Sequence, residues 1–164
     1  MPKLAELNVM DRVEFVRVVG PVFEHSPWVA ARTETQRPFP SREALHSALV
    51  ATVEKASGEE KVCLIRAHPD LIGDDELTAA SKSEQASAGL QDATVEEARQ
   101  FREFNRQYRE RFGFPFVICA RLNKKDAIAR AFPVRLRNSR EEEIETALQE
   151  ISKIAELRLK DLVQ

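Results

Sequence analysis

Three side chains that are far apart in the sequence have types and settings suited to acid–base chemistry, and His68 is the first. His68 ends an apolar run and precedes Pro69, and a residue before proline is disfavoured in the α-helical region. The imidazole is therefore expected in an extended, rigid segment, with Asp70 close by. Histidine is the side chain best suited to proton transfer near neutral pH. The alternative is a histidine that only ends a helix and bonds a carbonyl oxygen.

Arg158 is the second of these side chains, and it lies in a stretch with helical periodicity. At about 100° per residue, Arg158 points in nearly the same direction as Ala147, Ile151 and Ile154. A buried guanidinium without a partner is strongly destabilising, so it must meet a carboxylate, carbonyl oxygens or a ligand. The alternatives are a side chain that reaches water and a structural salt bridge.

Glu84 is the third, and its position has two interpretations. It follows Leu77 by seven residues and precedes Ala88 by four, so one continuous helix would place all three on the same side. However, Ser81 and Glu84 also have the spacing of a capping box, in which the carboxylate accepts a hydrogen bond from the backbone. The residues alone favour the cap.

Other site chemistries have little support. The histidines and cysteines follow no HExxH, Cys-x-x-Cys or other metal-binding spacing, so no metal ligand set is predicted. No Gly-x-Gly-x-x-Gly sequence or P-loop occurs, so no nucleotide cofactor is predicted either. Cys63 and Cys119 stand among apolar neighbours, which is typical of buried, reduced thiols. His46 is predicted to face solvent, and His25 is a weaker site candidate.

Helical periodicity predicts the elements that must position these side chains. The chain has only five glycines and no Asn-Gly or Asp-Gly turn, so hairpins have little local support. Predicted helix starts are Asn8, Ser26-Pro27, Ser41, Thr94 with Glu97, and Ser139 with Glu142. The helix after Ser41 is expected to end at Gly58. We therefore predict an all-α fold, a single-domain compact bundle of roughly seven to eight helices over residues 1–164.

Residues 114–120 form the most strand-like stretch of the chain. A single strand has no partner with which to pair its backbone groups, and no second strand is predicted. The stretch is therefore predicted to be a buried connection or a short helix.

The charge and hydropathy patterns argue against two classes of partner. The net charge is −2 and acids alternate with bases along the chain, whereas a nucleic-acid binder usually has a basic stripe. The longest apolar runs are far shorter than the roughly 20 residues of a membrane-spanning helix. The first residues have no apolar signal-peptide core, so a cytoplasmic location is expected.

Three motifs, in order and with characteristic spacing, make the chain resemble one enzyme family. They are His68-Pro69-Asp70-Leu71; Leu77-Thr78 with Ser81-x-x-Glu84-Gln85-x-x-Ala88-Gly89-Leu90; and Phe104-Asn105-x-x-Tyr108 running into Arg111-Phe112-Gly113-Phe114-Pro115-Phe116-Val117-Ile118-Cys119-Ala120. Together with Trp28, Arg37-Pro38-Phe39 and Arg158-Leu159, they resemble the 2-oxo-4-hydroxy-4-carboxy-5-ureidoimidazoline (OHCU) decarboxylases. The resemblance covers nearly the whole chain.

The resemblance implies an all-α homodimer that uses no metal or organic cofactor. It would convert OHCU into (S)-allantoin, after urate oxidation and hydroxyisourate hydrolysis. By the same resemblance, His68 would be the catalytic acid/base, and Glu84 would hydrogen-bond the reacting hydroxyl or the imidazole. The residues expected to hold the substrate are Pro69, Ser81, Gln85, Phe116, Val117, Ile118, Cys119, Ala120 and Arg158.

Two alternatives from other classes remain open. One is a Cys–His hydrolase of a small ureido or amide compound, with Cys119 as nucleophile and His68 as base. Only the remote Arg121 would lower the pKa of that thiol. The other is a helical adaptor that binds partner helices, which requires a large exposed apolar groove and has no use for an inward Arg158.

Overall fold

The computed structural model of the chain describes residues 1–164 and contains nine α-helices, four short 3₁₀ helices and no β-strand. The all-α prediction is confirmed, with nine helices where seven to eight were expected. The chain divides into two compact units, Met1–Ala67 with Ser152–Gln164, and His68–Ile151. The single domain over residues 1–164 stays a prediction. None of the helices is long and apolar enough to cross a membrane.

The helices are short except for two. Those within the first unit are α1 (Leu4–Val9), α2 (Arg12–Val19), α3 (Trp28–Thr33), α4 (Arg42–Glu54) and α5 (Gly58–Arg66). Those within the second are α6 (Ala79–Ser87), α7 (Val95–Phe112) and α8 (Lys125–Arg135). The long α9 (Arg140–Leu162) contributes residues 140–151 to the second unit and residues 152–162 to the first.

The predicted helix start at Asn8 is wrong. Asn8 lies inside α1, and α2 begins after Asp11, whose carboxylate accepts a hydrogen bond from the backbone N–H of Glu14 at 2.9 Å. The Asn8 side chain instead pairs with both backbone groups of Phe39, at 2.9 Å to the carbonyl and 2.8 Å from the N–H. Asp11 is as good a cap as Asn8 and stands next to the apolar run, so it begins the helix.

The predicted cap of α4 is confirmed, but its predicted end is wrong. The Ser41 hydroxyl accepts a hydrogen bond from the N–H of Ala44 at 3.0 Å, and the helix then ends at Glu54. Gly58 is the first residue of α5, which begins with a capping box formed by Ser57 and Glu60. This second start signal restarts the helix, so the glycine opens a helix where it was expected to end one.

The core of the second unit packs against one side of α7. The predicted capping box of Thr94 and Glu97 is confirmed, and the helix ends at Gly113, whose φ of 79° lies in the left-handed region that glycine adopts without strain. The buried side of α7 consists of Phe101, Asn105, Tyr108 and Phe112. Phe116 stacks on Phe132 of α8 with ring centroids 3.8 Å apart. This aromatic packing holds residues 114–119 at the core.

Residues 114–119 are a buried connection without regular secondary structure, as predicted. Every residue from 114 to 120 is buried except Ile118, which is partly exposed. The connection leads into the 3₁₀ helix Ala120–Leu122, which packs against α6. The segment therefore runs beside α6, the helix that carries Ser81, Glu84 and Gln85.

Candidate active site

His68 is a buried histidine in a non-helical segment. It comes directly after Ala67, the C-cap of α5, and only 7% of its surface is exposed. Pro69 follows and is partly exposed. His68 lies outside any helix, as its place before Pro69 predicted, and the extended, rigid conformation expected for this segment stays a prediction. Its catalytic role stays a prediction.

The backbone that follows His68 is held by side chains of two helices. Gln85 of α6 accepts a hydrogen bond from the N–H of Ile72 at 3.2 Å and donates one to the carbonyl of Asp70 at 3.3 Å. Asn105 of α7 donates to the carbonyl of Leu71 at 2.9 Å. A primary amide can satisfy both a donor and an acceptor of a loop, so these contacts replace the hydrogen bonds that a helix would have supplied.

A charged pair adds a third tie to this loop. The Asp70 carboxylate accepts hydrogen bonds from Nε of Arg109 on α7, at 2.9 and 3.2 Å. The arginine side chain is 43% exposed, so this pair stabilises the loop weakly compared with the buried amide contacts. Residues 70–72 are thus tied to α6 and α7 directly after the imidazole.

Ile72 has a backbone conformation that needs this support. Its φ is 53°, in the left-handed region that a β-branched residue rarely adopts. A residue in such a conformation costs of order 1–3 kcal/mol and persists only where its surroundings fix it. The side-chain oxygen of Gln85 accepts a hydrogen bond from the Ile72 N–H and so holds the backbone of Ile72 in this conformation. Gln85 therefore has a structural task, and its contact with a substrate stays a prediction.

Glu84 does not cap α6, so the capping-box interpretation is wrong. The cap is Thr78, whose hydroxyl accepts a hydrogen bond from the N–H of Ser81 at 3.2 Å. Ser81 is inside the helix and cannot take the non-helical conformation of an N-cap. Ser81 and Gln85 are buried and Glu84 is partly exposed. The Glu84 carboxylate therefore does not serve the helix start.

Cys119 lies close to Glu84, in surroundings unsuited to a thiolate. Burial raises the pKa of the Cys119 thiol, and the nearby negative charges of Glu150 and Glu84 raise it further. A nucleophilic cysteine needs the opposite, a lowered pKa from a neighbouring positive charge or a helix N-terminus. The site therefore disfavours the Cys–His hydrolase. The effect of Glu84 on this thiol also places α6 beside residues 116–120.

Arg158 is buried in the first unit, with partners that the sequence required but did not identify. Its Nη2 donates to Glu24 Oε2 at 2.8 Å and its Nη1 donates to the carbonyl of Pro21 at 3.1 Å. Glu24 is 2% exposed, and His25 Nε2 lies 3.7 Å from its other oxygen. The expectation that the guanidinium would meet a carboxylate, carbonyl oxygens or a ligand is confirmed, and the pair with Glu24 is the structural salt bridge given as its alternative. Its contact with a substrate, and its meeting with His68 and Glu84 in one cavity, stay predictions.

Three other residues differ from, or add to, the sequence-based picture. Cys63 is exposed, in contrast to the prediction of a buried thiol, because it lies on the outer side of α5 while Leu64 and Ile65 face inward. His46 is partly buried and its Nε2 lies 2.9 Å from the carbonyl of Ser152, so it does not simply face solvent. His25 remains exposed, with 66% of its side chain accessible.

No group of three or more His, Cys, Asp or Glu side chains is arranged to hold a metal ion. Among the buried polar groups of the second unit, Gln85 and Asn105 bind backbone groups of residues 70–72, and Arg135 pairs with Glu143.

Comparison with known proteins decides the family. The family model described as OHCU decarboxylase matches residues 8–160. The chain belongs to the OHCU decarboxylase family. It is 47% identical, over 95% of its length and 93% of the relative's, to the 2-oxo-4-hydroxy-4-carboxy-5-ureidoimidazoline decarboxylase of Haloferax volcanii.

Two solved structures resemble the fold of this family member. A crystal structure of (S)-allantoin synthase covers 98% of this protein, which in turn spans 54% of the synthase chain, with a TM-score of 0.80 and 27% identity. The crystal structure of an OHCU decarboxylase in the presence of (S)-allantoin covers 82% of this protein, and the match spans 89% of the decarboxylase chain, with a TM-score of 0.69 and 27% identity.

The sequence did not reveal several polar and charged residues with long-range contacts in the fold. Glu24 gave no signal, because its burial depends on packing with a helix 134 residues away. Asn105 belongs to a recognised motif, but its contact with Leu71 is visible only in the structure. Arg135 and Glu143 looked like two more charges of a highly charged chain, although both are buried.

Proposed function

We propose that this chain decarboxylates OHCU to (S)-allantoin in urate degradation, as a carboxy-lyase that needs no cofactor. The setting of His68 carries the proposal. This buried imidazole is followed by a backbone loop that Gln85 and Asn105 hold in place, in a chain whose residues 8–160 match the family model. A rigid, enclosed imidazole suits the delivery of one proton to one face of a small ring.

The substrate itself supplies the electron sink. OHCU has a carboxylate and a hydroxyl on one ring carbon, next to a carbon that carries the ureido group and a C=N bond. When the bond to the carboxyl carbon breaks, CO2 leaves and the electron pair moves into the ring toward the C=N nitrogen, which takes a proton. The resulting enol loses its hydroxyl proton and gains one at the ureido-bearing carbon, which gives allantoin. No step requires an electron sink from a cofactor.

The residues of the chain are proposed to handle the protons and fix the ring. His68 moves the proton of the hydroxyl and delivers one to the new stereocentre. Glu84 hydrogen-bonds and orients the imidazole or the hydroxyl. It lies on α6 next to Gln85, and Gln85 binds the loop that follows His68. Arg158 and backbone groups of residues 116–120 bind the carboxylate and the amide groups, with Pro69 and Ser81 beside them.

The proposal is tested by the chirality of the product. OHCU generated freshly from urate decays to racemic allantoin without a catalyst, so circular dichroism detects only enzyme-made product. With this protein present, we expect a growing (S)-allantoin signal and faster loss of OHCU absorbance. An unchanged rate with a racemic product would overturn the proposal, and would favour the helical adaptor.

A carbon-13 label in the substrate carboxylate distinguishes decarboxylation from hydrolysis. A decarboxylase transfers the label to CO2 and bicarbonate, whereas a ureido hydrolase leaves it in the organic product and releases ammonia. The uncatalysed decay also releases labelled CO2, so the decarboxylase is recognised in carbon-13 NMR by a faster release of labelled CO2 with the protein than without it.

The proposal extends to a cytoplasmic homodimer. The exposed thiol of Cys63 suits a reducing compartment. The subunit mass is 18.6 kDa, so light scattering of the purified protein should give about twice that mass. A mass equal to one subunit at micromolar concentration would contradict the dimer without affecting the activity.

A further inference from the structure

The two peptide groups on either side of Ile118 are each tied to a buried charged side chain. Arg135 Nη1 donates a hydrogen bond to the carbonyl of Val117 at 2.6 Å. Glu150 Oε1 accepts one from the N–H of Cys119 at 3.2 Å. Arg135 is 7% exposed and Glu150 is 9% exposed, so both ties are sheltered from water. Charge-assisted hydrogen bonds of this kind are stronger than neutral ones.

Arg135 is itself fixed, so it can act as a rigid donor. Its Nε donates to Glu143 Oε1 at 2.7 Å, and the same carboxylate oxygen accepts from the Tyr108 hydroxyl at 2.6 Å. Its guanidinium also lies over the ring of Phe116, 4.2 Å from the centroid. The carboxylate and the ring therefore leave the guanidinium little freedom to turn away from Val117.

Because peptide groups are planar, these two hydrogen bonds also fix the orientation of the backbone groups of Ile118. The bonds here are trans, since the one cis bond in the chain joins Arg37 and Pro38. In a trans peptide the C=O and the N–H point in opposite directions. Arg135, by holding the Val117 carbonyl, thus fixes the direction of the Ile118 N–H. Glu150, by holding the Cys119 N–H, fixes the direction of the Ile118 carbonyl.

Ile118 is also the accessible residue of this segment. From residue 114 to residue 120 it alone is not buried. Its backbone N–H and carbonyl, both fixed in direction, thus belong to the one residue of the segment that is partly exposed. An amide or ureido group has the complementary acceptor and donor.

We infer that Arg135 and Glu150 are positioning residues that aim the Ile118 N–H and carbonyl at an amide or ureido group of the substrate. Neither side chain needs to touch the reacting carbon. The inference rests on the proposed function, because that function supplies a substrate with such groups. Fixing both peptide planes in advance saves the entropy of ordering them when the substrate binds.

Nitrogen-15 NMR of isoleucine-labelled protein tests the contact on the unaltered chain. The signal of Ile118 is assigned by its loss in an Ile118→Val variant, and (S)-allantoin is the probe. On titration with allantoin, the Ile118 amide signal should move further than that of any other isoleucine. A wild-type protein that makes (S)-allantoin but whose Ile118 signal does not respond to saturating allantoin would overturn the inference and leave the proposed function intact.

Glu150 variants test the positioning role. Glu150→Met removes the acceptor, and we expect KM to rise by about ten- to a hundredfold, the effect of a lost hydrogen bond to a charged group, with a smaller change in kcat. Glu150→Gln keeps an acceptor oxygen and should restore most of the affinity and the Ile118 response. Equal KM values for the Met variant and the wild type, or no rescue by Gln, would contradict the inference.

Ile128→Val is the matched control for stability. Ile128 is fully buried on α8 in the same unit, so losing one methylene there weakens the packing of the core and removes no hydrogen bond to residues 117–119. The variant should melt at a lower temperature with an unchanged KM. A KM that rises in this control as much as in Glu150→Met would mean that general loosening, and not the direction of the Ile118 peptides, explains the result.

Discussion

Replacing His68 with asparagine should lower kcat for OHCU decarboxylation by about 10²–10⁴-fold, the usual contribution of a positioned acid–base group. Asparagine fills part of the space of the imidazole but cannot exchange a proton near neutral pH. The loop should stay in place, because Gln85 and Asn105 hold residues 70–72 without help from the imidazole. Rates follow from the loss of freshly generated OHCU, and circular dichroism should show that the residual product is racemic.

His46→Asn is the matched control for this experiment. His46 lies on α4, is partly buried and contacts the carbonyl of Ser152, so the same substitution is made at a histidine outside the proposed site. It should keep kcat and (S)-selectivity. The melting temperature of the His68 variant should change by no more than about 4 °C, equivalent to roughly 1 kcal/mol. A His68→Asn protein with near-normal rate and chirality would show that another group moves the proton.

The helices were predictable wherever a local signal determines them. The capping boxes at Thr94 and at Ser139 need only residues three positions apart, and both form as predicted. The same holds for Ser41 and α4. Residues 114–119 were predictable by exclusion, because an isolated apolar stretch without a strand partner must connect other elements through the core.

The wrong predictions arose where two local signals compete within a few residues. Asn8 and Asp11 are both good caps, and Thr78 competes with Ser81 in the same way. Propensity does not separate such pairs, because packing of the apolar side selects the start. Cys63 shows the same limit for burial, since residues 62–65 are all apolar but only Leu64 and Ile65 face inward.

For Arg158 the sequence predicted the kind of partner but not the residue that supplies it. Its position on an apolar helix face required a carboxylate, carbonyl oxygens or a ligand, and a carboxylate and a carbonyl are present, but no sequence pattern pointed to Glu24. The hydrogen bonds of Arg135 and Glu150 to the backbone around Ile118 were not predicted either. Peptide groups are the same at every residue, so the sequence does not indicate which of them a side chain will bind. Long-range pairs of this kind are fixed by tertiary packing alone.

Replacing Arg158 with methionine should damage both stability and substrate binding. The substitution leaves the Glu24 carboxylate buried without its partner at 2.8 Å, and breaking a buried ion pair typically costs about 3–5 kcal/mol. If the guanidinium also binds the substrate carboxylate, KM should rise at least about tenfold. Thermal denaturation measures the first effect. Initial rates at a temperature well below the melting transition measure the second.

A double variant, Glu24→Leu with Arg158→Met, separates the two effects. Replacing both members of a buried pair by apolar residues of similar size is often neutral or stabilising, so the melting temperature should recover toward that of the wild type. KM should stay high, because the guanidinium is still absent. Recovery of KM together with stability would mean that Arg158 serves the fold alone, as a partner for Glu24 and the Pro21 carbonyl. Arg158→Lys tests the geometry of the guanidinium separately from its charge, since an ammonium keeps the charge but lacks the planar fork that pairs with a carboxylate.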